Sequence, residues 1–222
     1  MHPLYDEFVA YLDKENKEKC VDFVMQKLAE KMIDVVTLYD GILTPAMNAD
    51  FCKSDQKEIC IWKEHIRTSI VRTIIECCFP YMIKERNEKY NAPRNGKTAV
   101  LCPSGELHEL GARIVSDFFT LCGFEVIFVG ANTPQEEIIN AIKYSQPKYV
   151  AISITNYYNL VTAGKVVRRI VDLKERFSFK VIIGGQACEG NLESCLNMDA
   201  DMILNSFIDI KHLSEGKIDA AT

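Results

Sequence analysis

Long apolar runs are missing from this chain. Runs such as Tyr149–Ile154 and Val181–Ile183 fall far short of the roughly 20 residues that cross a bilayer, so no transmembrane segment is expected. The start, Met1-His2-Pro3-Leu4-Tyr5-Asp6-Glu7, has acidic residues where a secretory signal carries a basic cluster, which predicts a cytoplasmic protein. No two of the nine cysteines have CxxC spacing, and their number is odd, so neither a disulfide framework nor a zinc ribbon fits. Most of them read as small apolar core residues. No Lys/Arg stripe stands apart from Asp and Glu, and the formal net charge is −5, which argues against direct nucleic-acid contact. Catalytic constellations are absent too: Ser104-Gly105 lacks the flanks of a nucleophile elbow, and His2 and His212 lie near the termini. Alone, the chain is not expected to be an enzyme.

What is present is a globular balance, 48% hydrophobic and 26% charged over 222 residues, enough for one large domain or two small ones. Up to about residue 88, apolar residues recur at helical spacing: Phe8, Tyr11 and Leu12, then Val21, Val24, Met25 and Leu28, then Val35 through Leu43. This predicts helices over 3–13, 16–31, 32–50 and 55–88, packed as a four-helix bundle in a domain spanning 1–90. Pro45 and Pro80 fall inside the third and fourth and should kink or end them. A polar stretch with Pro and Gly breakers, 87–96, reads as a linker.

A second domain, 96–222, alternates strand and helix patterns. Strands are expected at Thr98–Cys102, Glu125–Val129, Tyr149–Ile154, Val181–Ile183 and Asp201–Leu204, with helices at 109–122, 134–145, 160–176 and 191–197 and one at the end. Five βα units predict a parallel, doubly wound, flavodoxin-like (Rossmann-like) α/β sheet. Ligands of such sheets bind outside the carboxyl ends of the strands, where strand order reverses.

The loop after the first of these strands reads Pro103-Ser104-Gly105-Glu106-Leu107-His108-Glu109-Leu110-Gly111-Ala112. A carboxylate two residues before His108 can take the proton of one ring nitrogen and leave the other free to bind a metal or a proton. One histidine and one carboxylate do not make a protein-only metal site, which needs three or more protein ligands. A cofactor that already holds its metal equatorially needs one. Gly111 would allow close approach of backbone and ligand.

Glu106-Leu107-His108-Glu109-Leu110-Gly111 resembles the DxHxxG motif of cobalamin-binding domains. Ser153-Ile154-Thr155 matches that family's SxL element, and Gly184-Gly185 its GG element. The resemblance implies that His108 is the lower axial ligand of cobalt. It also implies that His108 displaces the cofactor's dimethylbenzimidazole tail into a slot beside Ser153, Thr155, Gly184 and Gly185. A preceding four-helix cap is also typical of the family. Glu106 stands where many members have Asp, so its longer side chain must fold differently to reach the histidine. Thr155 replaces the usual Leu.

Gly-Glu-x-His-Glu-x-Gly-Ala, with Gly-Gly-Gln at Gly184-Gly185-Gln186, is similar to the cobalamin-dependent light sensors and regulators. Glu64-His65 resembles the second half of their Wx9EH motif, a pair that in them lies over the upper face of adenosylcobalamin. The motif's tryptophan would fall at Ser54. Trp62 shares a helix face with His65 and is either a cover for the corrin or part of the bundle core. The upper ligand is accordingly open among adenosyl, methyl and hydroxo or aquo forms.

Two functions follow from the resemblance. One is a cobalamin-dependent sensor or regulator in which cleavage or exchange of the upper ligand alters how the cap packs, and which reaches DNA, if at all, through a partner. The other is a corrinoid methyl carrier serving methyltransferases. A mutase subunit fits poorly, because no barrel of about 250 residues is present. Either function predicts a protein partner, and oligomerisation is compatible with both.

Overall fold

The computed structural model describes residues 2–49, 58–90 and 95–218. The chain divides into two compact units, Met1–Glu85 and Arg86–Thr222.

The first unit is helical: α1 (Tyr5–Leu12), α2 (Lys17–Ala29), α3 (Val35–Leu38), α4 (Thr44–Asn48) and α5 (Cys60–Glu85). Asn16 caps α2 by accepting from Lys19 N, and Asp34 caps α3 by accepting from Thr37 N. The third predicted helix is observed in three parts, because a π-helical turn, Tyr39–Leu43, joins α3 to α4. The wide turn lies just ahead of Pro45, which cannot donate a backbone hydrogen bond, so the chain passes the proline without ending. Pro80 likewise lies inside α5. Phe8, Leu12, Val24, Leu38, Ile74 and Met82 form part of the buried core. Arg67 of α5 crosses it, bonding Asp13 Oδ1 at 2.5 Å and the Ala46 carbonyl at 3.1 Å.

The second unit begins with a π-helical turn, Arg86–Tyr90, and continues as β1 (Lys97–Pro103), α6 (Leu110–Leu121), β2 (Glu125–Thr133), α7 (Gln135–Ser145) and β3 (Tyr149–Ser153). It is completed by α8 (Leu160–Val171), β4 (Lys180–Gly184), α9 (Gln186–Glu189), α10 (Leu192–Leu196), β5 (Met202–Ile203) and α11 (Phe207–Ser214). The five strands are parallel in the order β2-β1-β3-β4-β5, the predicted doubly wound sheet. Order reverses between β1 and β3, so the loops after these two strands flank the switch point.

Differences from the sequence reading have local causes. β2 runs four residues past Val129, because register shifts against β1 let it continue to Thr133. The helix predicted to reach 176 tightens to 3-10 geometry at Asp172–Glu175. The four-residue α9, too short to show a period, was not predicted.

Alternation along β3 sorts its side chains. Val150, Ile152 and Ile154 join the core beneath α8, with Val167 and Ile170. Ala151 and Ser153 instead border a cavity beneath α6 and α11. Among the described residues, six cysteines, 20, 78, 102, 122, 188 and 195, are buried free thiols, and Cys77 is an exposed one. Burial pushes the thiols of Cys20 and Cys122 up to about 11, consistent with inert core residues. Cys60 is disulfide-bonded, an engagement that its spacing did not suggest. Among the described residues, no helix is long and apolar enough to cross a membrane.

Candidate functional site

β1 ends at Pro103, and a turn carries the chain to Glu106, whose N–H donates to the Pro103 carbonyl at 3.0 Å. The Glu106 side chain is fully buried, while that of His108 is 54% exposed. Oε1 of Glu106 accepts from the His108 N–H at 3.0 Å and meets His108 Nδ1 at 2.6 Å. Oε2 accepts from Thr155 N at 3.1 Å, Asn156 N at 2.8 Å and Asn159 Nδ2 at 3.0 Å. The extra methylene of glutamate is thus used to reach both loops flanking the switch point at once.

Burial alone would raise the Glu106 carboxyl. The hydrogen bonds from Asn156, Asn159 and His108 outweigh it and hold the group below the ordinary glutamate value of 4.5. An ionised carboxylate only accepts, so the proton between the two side chains sits on Nδ1, and in the neutral ring Nε2 keeps its lone pair. Cys102 beneath the loop points its thiol at the His108 carbonyl, 3.8 Å away. Burial, with Glu106 and Glu109 adding to it, pushes that thiol up to about 12, so it is not a competing nucleophile or ligand.

The loop is pinned from β2 as well. Asn132, in the left-handed region at φ 50°, accepts from Gly105 N at 2.9 Å and donates its own N–H to the Glu106 carbonyl at 2.8 Å. Glu109 accepts from Ala131 N at 3.1 Å. Leu107 is exposed, and around Gly111 a Cβ would meet nothing within 4 Å, so that helix start is open to a ligand.

Ser153, Gly184 and Gly185 border a cavity of about 440 Å³ including its open mouth, with Phe118, Ile210 and Asn205 among its other walls. A Cβ on Gly184 would lie 2.2 Å from the Leu204 carbonyl oxygen, and one on Gly185, at φ 103°, 2.5 Å from that of Ile154. The two glycines are therefore required by close backbone packing beside the cavity. Gln186, the next residue, is exposed and opens α9.

In the helical unit, Glu64 and His65 pair at 2.7 Å, with His65 73% exposed, and Glu64 also accepts from Thr68 Oγ1. Trp62 is 69% exposed, so the bundle-core alternative for it does not hold. Ser54 lies outside the described residues. Asn132, Asn156 and Asn159 were not singled out from the sequence. Asparagines at strand ends, such as Asn132, and in strand-to-helix loops, such as Asn156 and Asn159, read as turn and cap residues, and nothing in their spacing marks them as partners of Glu106.

Among the described residues, no group of three or more His, Cys, Asp or Glu side chains could hold a metal ion. A single half-exposed imidazole with a pinned tautomer suits a cofactor that arrives with its metal already held. Such a fold and site define a cobalamin-binding α/β module. The chain belongs to the B12-binding domain family, which matches residues 96–206.

Its similarities reach into two kinds of protein. The HTH-type transcriptional repressor CarA of Myxococcus xanthus is 23% identical over 172 residues, 78% of this chain, and the chain spans 55% of CarA's length. The trimethylamine corrinoid protein of Methanosarcina barkeri is 24% identical over 177 residues, 76% of this chain and 80% of that protein. Among solved structures, the monomethylamine corrinoid protein of Methanosarcina barkeri matches with TM-score 0.78 over 97% of this chain and 98% of that one, at 16% identity.

The carboxylates also set an acid limit. Burial raises Asp201, but Lys174 and the Val181 N–H bond it and hold it below its ordinary 3.8. Because the native values of Glu106 and Asp201 are depressed, each stabilises the fold above its unfolded value, and that contribution is lost as pH falls through the native one. Urea unfolding from neutral pH downward should therefore show stability declining below about 4.5. Asp201→Asn should flatten the most acidic part of that decline and lower stability at neutral pH.

Proposed function

We propose that His108 is the lower axial ligand of cobalt in bound cobalamin, with the tail base displaced into the cavity beside Ser153, Gly184 and Gly185, and that the loaded protein is a sensor or regulatory module. The observation that carries the axial assignment is the half-exposed His108 ring held at 2.6 Å by a fully buried, ionised Glu106. Glu106 fixes the proton on Nδ1, which leaves Nε2 as the donor atom of the neutral ring. Leu107, Glu109 and Gly111 shape the surface around that nitrogen, and Thr155 and Gln186 border the tail side. When bound, cobalamin supplies a cobalt centre with an exchangeable upper ligand.

The regulatory reading draws on Glu106 in place of Asp, on the exposed Glu64–His65 pair and Trp62, and on the similarity to CarA. As a module, the chain passes its signal to a protein partner. The test is to load it with adenosyl- or methylcobalamin in the dark and compare sedimentation before and after illumination, with and without His65→Ala. Light-dependent association that His65→Ala weakens is expected. Identical sedimentation in dark and light would remove the light-sensing version.

A second reading, a corrinoid methyl carrier, is favoured by the similarity to the trimethylamine corrinoid protein, which covers most of both chains. It predicts methylation of the reduced, loaded protein by a partner methyltransferase and no light-dependent association.

A further inference from the structure

Asn159 ends a 3-10 turn, Tyr157–Asn159, that runs directly into α8 and is capped by Asn156, whose side chain accepts from Tyr158 N at 3.0 Å. Its backbone is already helical, at φ −84° and ψ −7°, so its side chain is not needed as a cap and makes no capping bond. The amide is turned instead toward the loop after β1. Nδ2 donates to Glu106 Oε2 at 3.0 Å and to the Gly105 carbonyl at 3.3 Å, so one side chain clasps both the carboxylate and the backbone of the loop that carries His108.

The two carboxylate oxygens divide their partners. All three donors on Oε2 come from the segment after β3, and both groups on Oε1 belong to His108. A glutamate side chain has three rotatable bonds, and fixing one oxygen fixes where the other points. Ser153, although it stands at the matching point of the SxL element, is not among the donors.

We propose that Asn159 is a positioning residue for the axial ligand: by anchoring Oε2 and the Gly105 carbonyl, it holds Oε1 where it orients the His108 ring and keeps Nε2 toward the cobalt. This rests on the assignment of His108 as that ligand. Thr155 and Asn156 contribute backbone donors that no substitution short of proline removes, so Asn159 is the part of the anchor open to side-chain mutation. Loss of a hydrogen bond to a charged, buried acceptor should lower the ratio of histidine-ligated to unligated cobalt roughly tenfold or more.

The test uses full-length protein labelled with nitrogen-15 histidine and loaded with cob(II)alamin at one fixed pH. In its electron paramagnetic resonance spectrum, an axial nitrogen-15 splits the cobalt lines into doublets, the nitrogen-14 of the tail base splits them into triplets, and an unligated lower face gives neither. Asn159→Ala and Asn159→Asp are compared with wild type. The aspartate keeps the shape of the side chain, lacks the donors and sets a second carboxylate against Glu106, so it perturbs the anchor most and keeps the test open if the alanine variant does not fold. Doublets in wild type that fall away in the aspartate variant, with α8 still folded by circular dichroism, are expected. Doublets of wild-type intensity in the variants would overturn the role of Asn159 alone. Absence of doublets from wild type would overturn the axial assignment beneath it.

Discussion

Glu106→Gln is expected to leave the protein folded while reducing histidine-ligated cobalt by about a hundredfold. The substitution is isosteric, but an amide presents one oxygen and one NH2. Three donors, Thr155 N, Asn156 N and Asn159 Nδ2, converge on the Oε2 position and demand the oxygen there. The NH2 must then face His108, whose backbone N–H loses its acceptor and whose Nδ1 is forced to accept. The ring proton moves to Nε2, the nitrogen assigned to cobalt. Each mismatched buried pairing costs about 1–3 kcal/mol, and two together correspond to a factor on the order of 10². Absorption spectra of the loaded variant at neutral pH, read beside its thermal midpoint, check this. A wild-type spectrum in the variant would mean that the tautomer does not control ligation.

Gly184→Ala should act through the fold rather than the ligand. β4 and β5 pair with Ile182 opposite Met202 and Ile183 opposite Ile203, which brings the Leu204 carbonyl against the next position, Gly184. A Cβ 2.2 Å from that oxygen cannot be relieved by a side-chain rotation, because the obstacle is backbone. β5 must shift, and overpacking of this kind destabilises by about 3 kcal/mol or more, a fall in thermal midpoint on the order of 10 °C. Gly185→Ala adds an unfavourable left-handed φ to a 2.5 Å approach to Ile154, whose N–H bonds the Gly184 carbonyl and whose carbonyl accepts from Ala187. Either variant should also narrow the cavity mouth and weaken cobalamin binding. Calorimetry with and without cofactor separates the two effects. Unchanged stability would show that β5 yields without loss.

These cases mark how far the sequence could be read. Short apolar runs set between helical patterns located all five strands, and the carboxylate two residues before His108 announced a paired imidazole, because both signals are local. What holds Glu106 was not legible. Two of its donors are backbone N–H groups, which every residue but proline possesses, and the third is an asparagine that looks like a helix cap. Gly184-Gly185 was legible as a pair of missing side chains, while the carbonyls that exclude those side chains become visible only once β5 and Ile154 are placed beside them. The π-helical turn ahead of Pro45 and the short α9 belong to the same category, since each follows from packing around a few residues rather than from a repeating pattern.

The central claim is that His108 supplies the axial nitrogen, and spectra of cob(II)alamin bound to nitrogen-15 histidine-labelled wild type and His108→Ala test it most directly. The account predicts doublet splitting in wild type and its loss in His108→Ala, with cobalamin then base-off, base-on or released. Triplet splitting in wild type, or a doublet that survives in His108→Ala, would contradict it.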